Sequence, residues 1–178
     1  MKIIETKIPE VIIIEPIVFG DERGYFFESF SKKEFEENIL KTEFIQDNES
    51  KSSYGVLRGL HYQLPPNAQS KLVRVIEGKV LDVAVDIRKG SPTFGKHVAI
   101  ELSGENKRQL FIPRGFAHGF VVLSEKAVFT YKVDNYYAPE SEGSIKFDDK
   151  ELDIDWIIKH NDIKLSAKDL EIPAFKDA

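Results

Sequence analysis

Short stretches in which apolar and polar residues alternate are the feature of this sequence that most limits its possible folds. The clearest stretch sets Leu81, Val83, Val85 and Ile87 against Asp82, Ala84, Asp86 and Arg88. A period of two residues is typical of an extended strand, whose successive side chains lie on opposite faces. Further strands are predicted over residues 72–76 and 98–102 and within 119–137, where residues 124–126 form a turn. Many short strands separated by turns predict an all-β sandwich, jelly roll or barrel.

The connections add detail to this all-β prediction. Residues 77–78 form a hairpin-like break between the run 72–76 and the strand that follows it. One helix is predicted after Ser31, because Glu34 lies three residues later, as in a capping box, and Phe35 and Ile39 then share a face. A short helical turn is predicted from residue 166. With 178 residues and no repeat or linker, the chain is predicted to form one domain over residues 1–178.

Composition excludes several classes of function. The net charge of −5 argues against a general nucleic-acid binder, although a local cluster of Arg and Lys could still hold an anionic small ligand. The chain has no Cys, which excludes disulfides, thiolate catalysis and Cys-based zinc sites. Glu5, Lys7 and Glu10 interrupt the apolar runs near the N-terminus, so we expect neither a signal peptide nor a membrane span, and a cytoplasmic location.

His61 is the first candidate for chemistry, within the segment GVLRGLHYQ. Strict alternation places His61 and Gln63 on one face of a strand and Arg58 on the other. Gly59 would allow a bulge that brings Arg58 round to the face of His61. The alternative interpretation is a structural histidine, hydrogen-bonded in a half-buried sheet.

His118 lies in the segment IPRGFAHGF, whose P-x-G-x-x-H pattern resembles the second sequence motif of the cupin barrels. In many cupins this histidine binds a metal ion, and the first motif supplies two more His and a Glu. The counterpart here, residues 61–63, supplies one His and one Gln. A metal site needs three or four suitable ligands. The pattern therefore predicts a cupin-type jelly-roll barrel without a metal; the alternative for His118 is a residue that stabilises a turn.

Two further polar residues fall on apolar strand faces. Lys71 shares its face with Val73 and Val75, where an unpaired charge would be costly. Tyr131 shares its face with Phe129, so its hydroxyl group is predicted to point into the barrel. The alternatives are a lysine that extends to solvent and a core tyrosine with one hydrogen bond. The sequence has no G-x-S-x-G motif, no phosphate-binding P-loop and no Rossmann glycine pattern.

Taken together, five segments resemble the dTDP-4-dehydrorhamnose 3,5-epimerase family. They are DERGYFFESF (21–30), FIQDNESKSSYGVLRGLHYQ (44–63), KLVRVIEGKVLDVAVDIRKGSPTFG (71–95), FIPRGFAHGFVVLSEKAVFTYKVDNYYAPESEGSI (111–145) and LSAKD (165–169). The resemblance covers almost the whole chain, and the combination of GVLRGLH, PRGFAHGF and SPTFG is far more specific than any short motif alone.

The resemblance implies a role for each candidate. His61 matches the family's proton acceptor, Tyr131 its proton donor and Lys71 the lysine near the C4 oxygen of the sugar. Asp169 matches the carboxylate that pairs with the catalytic histidine, with a helix-capping carboxylate as the alternative. The substrate contacts that it implies are Arg23, Glu28, Gln46, Asp47, Asn48, Arg58, Lys71, His118, Tyr137, Glu142 and Lys168. Among these, Arg23, Arg58 and Lys168 would hold the diphosphate, and Tyr137 would stack on the thymine.

The resemblance also implies the reaction and the assembly. The substrate would be dTDP-4-dehydro-6-deoxy-D-glucose and the product dTDP-4-dehydro-L-rhamnose, a step of dTDP-L-rhamnose biosynthesis that feeds surface polysaccharides. The enzyme would need no metal or nicotinamide cofactor and would form a homodimer, with N-terminal strands exchanged between the barrels. Three alternatives stay open: an epimerase acting at C3 or C5 alone, a metal-dependent cupin enzyme, and a sugar-nucleotide binding module without activity.

Overall fold

The fold consists of two facing antiparallel β-sheets, as seen in a computed structural model that describes residues 1–170 and 172–177. The first strands and the helix are β1 Lys2–Glu5, β2 Ile12–Glu15, β3 Phe19–Asp21, β4 Gly24–Phe26, α1 Lys32–Asn38, β5 Gln46–Ser53 and β6 Leu57–Gln63. The remaining strands are β7 Lys71–Glu77, β8 Lys79–Asp86, β9 His97–Ser103, β10 Gln109–Ile112, β11 Phe116–Val122, β12 Lys126–Val133 and β13 Glu142–Ser144. Single 3₁₀ turns lie at Pro139–Ser141, His160–Asp162, Lys168–Leu170 and Phe175–Asp177.

The strand order confirms the all-β jelly-roll prediction. One sheet has the order β1-β2-β10-β7-β12-β5, and the other has the order β13-β6-β11-β8-β9. Neighbouring strands are distant in the sequence, as expected when a chain passes back and forth between two sheets. Strands β3 and β4 form a separate hairpin.

The main core fills the space between the two sheets. Its centre is a stack of Phe120 from β11 on Phe129 from β12, with ring centroids 4.1 Å apart. A second apolar cluster covers the outer face of the five-stranded sheet, where Ile145, Phe147 and Trp156 pack on β8 and β11. Strand β8 is therefore buried on both faces, so the acidic residues of its alternation lie inside the protein instead of facing solvent.

The predicted hairpin across residues 77–78 is wrong in one respect. The chain does break at Gly78, which has a φ of +80°. However, β7 pairs with β10 and β12, whereas β8 pairs with β9 and β11 in the opposite sheet. The two strands are not hydrogen-bonded to each other, because the turn carries the chain from one sheet to the other. Local sequence patterns show that a chain turns but not which sheet it enters.

The predicted helix is confirmed as α1. The side-chain oxygen of Ser31 accepts a hydrogen bond from the backbone N–H of Glu34 at 3.3 Å, which caps the helix as the spacing indicated. Phe35 is buried against Phe44 and Phe111, with ring centroids 5.3 and 5.2 Å away. Ile39 follows the last helical residue. No helix within the described residues is long and apolar enough to cross a membrane.

The bulge predicted at Gly59 is confirmed and shapes the cavity wall. On β11, His118 lies opposite His61 and Phe120 lies opposite Arg58, so the single residue between them on β11 faces two residues of β6. The extra residue changes the alternation, and Arg58 lines the same cavity as His61. Gly59 has a φ of +126°, and a Cβ atom there would lie 2.5 Å from the Cα of Gly119.

We expect Gly59→Ala to lower the free energy of unfolding by roughly 3 kcal/mol or more, because it combines an unfavourable φ with a backbone overlap. Gly90→Ala is the matched control. Gly90 also has a positive φ, of +92°, but a Cβ atom would meet nothing within 4 Å. The control should lose only about 1–2 kcal/mol, the cost of the φ angle alone. Chemical denaturation measures both, and equal losses would contradict the close approach at Gly59.

Candidate active site

A cavity of about 670 Å³ opens between the two sheets and contains most of the predicted catalytic side chains. Its polar lining includes Asn48, Arg58, His61, Lys71, His118, Tyr131, Ser166, Lys168 and Asp169. A second pocket of about 280 Å³ shares Asn48, His61, Lys71 and Tyr131 and adds Gln46, Tyr137 and Glu142. The two pockets adjoin at these four shared residues, so together they offer room for a ligand with two parts.

The central contact of the site joins His61 to Asp169. Nε2 of His61 lies 2.7 Å from Oδ1 of Asp169, which is only 6% exposed. Burial lowers the pKa of His61 below its usual value; the Asp169 carboxylate opposes this, and the positive charge of Lys71 adds to it. The imidazole of His61 is therefore neutral near neutral pH, and Asp169 fixes its orientation. A general base requires both properties.

Lys71 begins β7 and lies in both pockets. Burial lowers the pKa of its amine to about 8, although the negative charges of Asp82 and Glu142 act in the opposite direction. The amine is therefore mostly protonated at neutral pH and yet loses its proton readily. Such a group can stabilise negative charge that develops on a substrate oxygen.

Tyr131 faces the cavity from β12, as its strand parity predicted. It packs against the main core and lines both pockets. Burial raises the pKa of its phenol, and the nearby charge of Arg58 only partly offsets this shift. The hydroxyl group therefore stays protonated and is available as a proton donor.

His118 lies inside β11 and not in a turn, which corrects the alternative interpretation of this residue. Its Nε2 atom lies 3.0 and 2.9 Å from the two carboxylate oxygens of Asp82, a residue with no exposed surface. Within residues 1–170 and 172–177, no group of three or more His, Asp or Glu side chains is arranged to hold a metal ion. The cupin-like histidine is thus paired with a carboxylate at the wall of the cavity.

Three polar residues meet at the mouth of the smaller pocket. Glu142 accepts hydrogen bonds from Tyr137 at 2.7 Å and from Lys168 at 2.6 Å. Burial acts to raise the pKa of Glu142, but these two hydrogen bonds, together with the positive charge of Lys168, hold the pKa below its usual value. The ring of Tyr137 is 55% exposed and offers an open aromatic surface.

Strand β5 brings two of its three predicted contacts into the site. Gln46 and Asn48 point into the smaller pocket and are joined by a hydrogen bond of 2.9 Å. Asp47 points the other way, to the outer face of the sheet, where it accepts a hydrogen bond from Lys132 at 2.8 Å. The side chain of Asp47 therefore lines neither of the two pockets that contain His61, because alternate residues of a strand lie on opposite faces.

Arg23 and Glu28 line neither of the two pockets. Arg23 lies in the loop of the β3–β4 hairpin and is hydrogen-bonded to Asp21. Glu28 lines a separate cavity of about 410 Å³ beside α1. The hairpin pairs with neither main sheet, so nothing in the fold of one chain directs these residues toward His61.

Asp82 and Ser166 are two polar residues of the site to which the sequence analysis assigned no role. Asp82 falls on the polar side of the alternation in β8, and that side turns out to face the barrel interior and His118. Ser166 was noted only as the start of a helical turn, yet its hydroxyl group donates a hydrogen bond to Asp169 at 2.7 Å. The signal for Asp82 was an acidic residue inside an otherwise apolar strand, and the signal for Ser166 was its spacing of three from Asp169.

Known proteins of one family are similar to this chain over almost its whole length. The family model described as dTDP-4-dehydrorhamnose 3,5-epimerase matches residues 5–177. A curated protein of that name from Shigella flexneri is 59% identical over 179 residues, which cover 100% of this chain and 98% of the relative. The crystal structure of dTDP-4-dehydrorhamnose 3,5-epimerase from Elizabethkingia anophelis NUHP1 is similar, with a TM-score of 0.95 and 60% identity over 99% of this chain and 97% of that one.

A third similar protein was solved with a ligand. It is dTDP-6-deoxy-D-glucose-3,5-epimerase from Legionella pneumophila Philadelphia 1 in complex with dTDP-4-keto-L-rhamnose. Its TM-score is 0.95 and its identity 55%, over 98% of this chain and 93% of that chain. The comparisons therefore agree with the cupin-type fold.

We expect the Lys71 amine to titrate with a midpoint near pH 8, because burial disfavours its charged form. NMR of side-chain carbons in lysine-labelled protein measures this midpoint, and loss of the signal in Lys71→Arg assigns it. A midpoint near 10.4, the value of an exposed lysine, would contradict the burial of this amine.

Proposed function

The chain belongs to the dTDP-4-dehydrorhamnose 3,5-epimerase family, and we propose that it converts dTDP-4-dehydro-6-deoxy-D-glucose into dTDP-4-dehydro-L-rhamnose. It is an isomerase of dTDP-L-rhamnose biosynthesis, acting in this proposal as one catalytic domain over residues 1–178. The observation that carries the proposal is that the His61–Asp169 pair, Lys71 and Tyr131 line one cavity. A base, a cation and an acid in one site match the three needs of epimerisation beside a ketone.

The chemistry of the substrate explains these needs. Its ketone is at C4, so the protons on C3 and C5 are both adjacent to a carbonyl group. Removal of either proton moves the electron pair of the C–H bond into an enolate whose negative charge rests mainly on the C4 oxygen. His61 takes this proton on the ring nitrogen that does not contact Asp169, and the carboxylate stabilises the imidazolium that forms.

Lys71 and Tyr131 complete the cycle. The protonated amine of Lys71 stabilises the oxyanion at C4, a term that often dominates catalysis in a site of low dielectric. Tyr131 donates a proton to the enolate carbon from the face opposite His61, which inverts the carbon. Solvent then returns a proton to the phenolate and removes one from the imidazolium. No electron is gained or lost overall, so the reaction requires no redox cofactor.

The remaining residues of the two pockets suit the nucleotide. Arg58 offers a planar fork of donors and Lys168 a flexible point charge, both of which fit the diphosphate. Tyr137 offers its exposed ring for stacking on the thymine. This local positive charge explains how a chain with a net charge of −5 binds an anionic substrate. Contacts to the nucleotide also hold the sugar in a reactive geometry.

A homodimer is part of the proposal, because Arg23 and Glu28 line neither pocket of their own chain. The hairpin that carries Arg23 also exposes apolar rings: Phe19 is 63%, Tyr25 60% and Phe26 71% exposed. Exposed apolar rings grouped in this way mark an interaction surface. We propose that the hairpin packs on a second copy and delivers Arg23 and Glu28 to that copy's cavity.

A cytoplasmic location is also part of the proposal, and cell fractionation tests it.

The proposed reaction is tested by incubating the protein with dTDP-4-dehydro-6-deoxy-D-glucose in D₂O and following the sugar protons by NMR. We expect deuterium at both C3 and C5 and a product with the L-rhamno configuration. Deuterium at one carbon would instead identify the narrower epimerase. No deuterium at either carbon, with folded protein and authentic substrate, would contradict the proposal.

Two variants in the same assay test the assigned roles. His61→Ala should incorporate no deuterium and should still bind dTDP, because the base is lost and the nucleotide contacts remain. Tyr131→Phe should form little product, because it lacks the acid on the opposite face, yet still exchange some deuterium without inversion through His61. Near-normal turnover by His61→Ala would exclude this residue as the base.

The exchange of hairpins is tested by mixing two inactive chains. Coexpressed Arg23→Ala and His61→Ala chains form a mixed dimer, in which the chain with an intact His61 receives an intact Arg23 from its partner. We expect activity to return in the mixed dimer well above that of either homodimer. Without exchange, one site lacks Arg23 and the other lacks His61, so no activity returns and the proposed exchange would be contradicted.

A further inference from the structure

Asp169 uses its two carboxylate oxygens for two different partners. Oδ1 lies 2.7 Å from Nε2 of His61, and Oδ2 accepts a hydrogen bond of 2.7 Å from the hydroxyl group of Ser166. A carboxylate attached by one flexible side chain can rotate about its terminal bond, and this torsion has only broad preferences. A second hydrogen bond on Oδ2 limits that rotation.

The backbone that carries Ser166 and Asp169 is fixed to the strand of His61. Lys164 pairs with Val56 just before β6, through hydrogen bonds from Lys164 N–H to Gly55 O at 2.8 Å and from Leu57 N–H to Lys164 O at 3.0 Å. The segment therefore has a defined position next to β6. What the backbone does not determine is the side-chain torsion of Asp169, and Ser166 contacts that group directly.

We propose that Ser166 is a positioning residue for proton abstraction: its hydroxyl group holds the Asp169 carboxylate so that Oδ1 stays on Nε2 of His61. This role rests on the proposed function, because it acts through the histidine base. Ser166, Asp169 and His61 form a hydrogen-bonded chain, in which each member orients the next. The last member of the chain is the ring nitrogen that removes the substrate proton.

A purely structural role for Ser166 makes a different prediction. The Asp169 N–H also donates to Ser166 O at 3.0 Å and to Ser166 Oγ at 3.2 Å, which resembles a cap on the turn Lys168–Leu170. A cap needs only an acceptor at residue 166 and is independent of the carboxylate. The positioning role needs a donor at residue 166 and has no effect once the carboxylate is removed.

The experiment measures kcat and KM for Ser166→Ala and Ser166→Thr in the wild-type chain and for Ser166→Ala in the Asp169→Ala background. We expect Ser166→Ala to lower kcat on the order of 10- to 100-fold with little change in KM, as expected when a catalytic group is misplaced. Ser166→Thr retains the hydroxyl group and should restore most of kcat. In the Asp169→Ala background, Ser166→Ala should cause almost no further loss, because groups that act as a unit are not additive.

Three results would overturn the proposal: an unchanged kcat in Ser166→Ala, a loss that Ser166→Thr does not restore, or an equal loss in both backgrounds. If Ser166→Ala does not fold, Ser166→Cys takes its place, since a thiol has a similar size but is a weak donor. Its kcat should lie clearly below that of Ser166→Thr, and equal values would count against the role. Deuterium exchange by the wild-type protein is measured in parallel, so that failure of the proposed function is recognised separately.

Discussion

The hydrogen bond between His61 and Asp169 is the interaction on which the active-site geometry depends. Its two partners are 108 residues apart: one lies on a strand of the five-stranded sheet, and the other on a turn near the C-terminus. The segment 145–165 connects them by packing over the outer face of the same sheet. Folding of the C-terminal part of the chain is therefore a condition for this orientation of the His61 ring, although that part contributes little to the core between the sheets.

Burial in one cavity adjusts three side chains in ways that suit three roles. It lowers the pKa of His61, which favours the neutral form of a base, and it raises the pKa of Tyr131, which favours the protonated form of an acid. It also lowers the pKa of Lys71, although nearby carboxylates keep enough positive charge there to stabilise an oxyanion. The three shifts have one physical origin, the cost of placing charge in an apolar barrel.

The sequence predicted most of the site wherever local periodicity was sufficient. Alternation placed Tyr131 toward the barrel interior, and Gly59 indicated the bulge that brings Arg58 beside His61. The capped helix after Ser31 followed from side-chain spacing alone. The roles expected for His61, Tyr131 and Arg58 came from family resemblance and not from periodicity. Spacing alone could not separate a catalytic His61 from a structural one.

The sequence failed where the answer depends on contacts between distant parts of the chain. The strands before and after Gly78 read as a hairpin, but their partners come from elsewhere in the chain. Arg23 lies on a hairpin that pairs with neither main sheet, so the contact proposed for it depends on a second chain.

We propose that Asp169 holds His61 as a neutral imidazole with its proton on Nε2, which leaves the other ring nitrogen free to act as the base. Nitrogen-15 NMR of the histidine rings in the folded protein near neutral pH measures this directly. We expect a neutral ring for His61 with the proton on Nε2, and a loss of this tautomer preference in Asp169→Ala. A doubly protonated His61 ring, or a proton on Nδ1 in the unmodified protein, would contradict it.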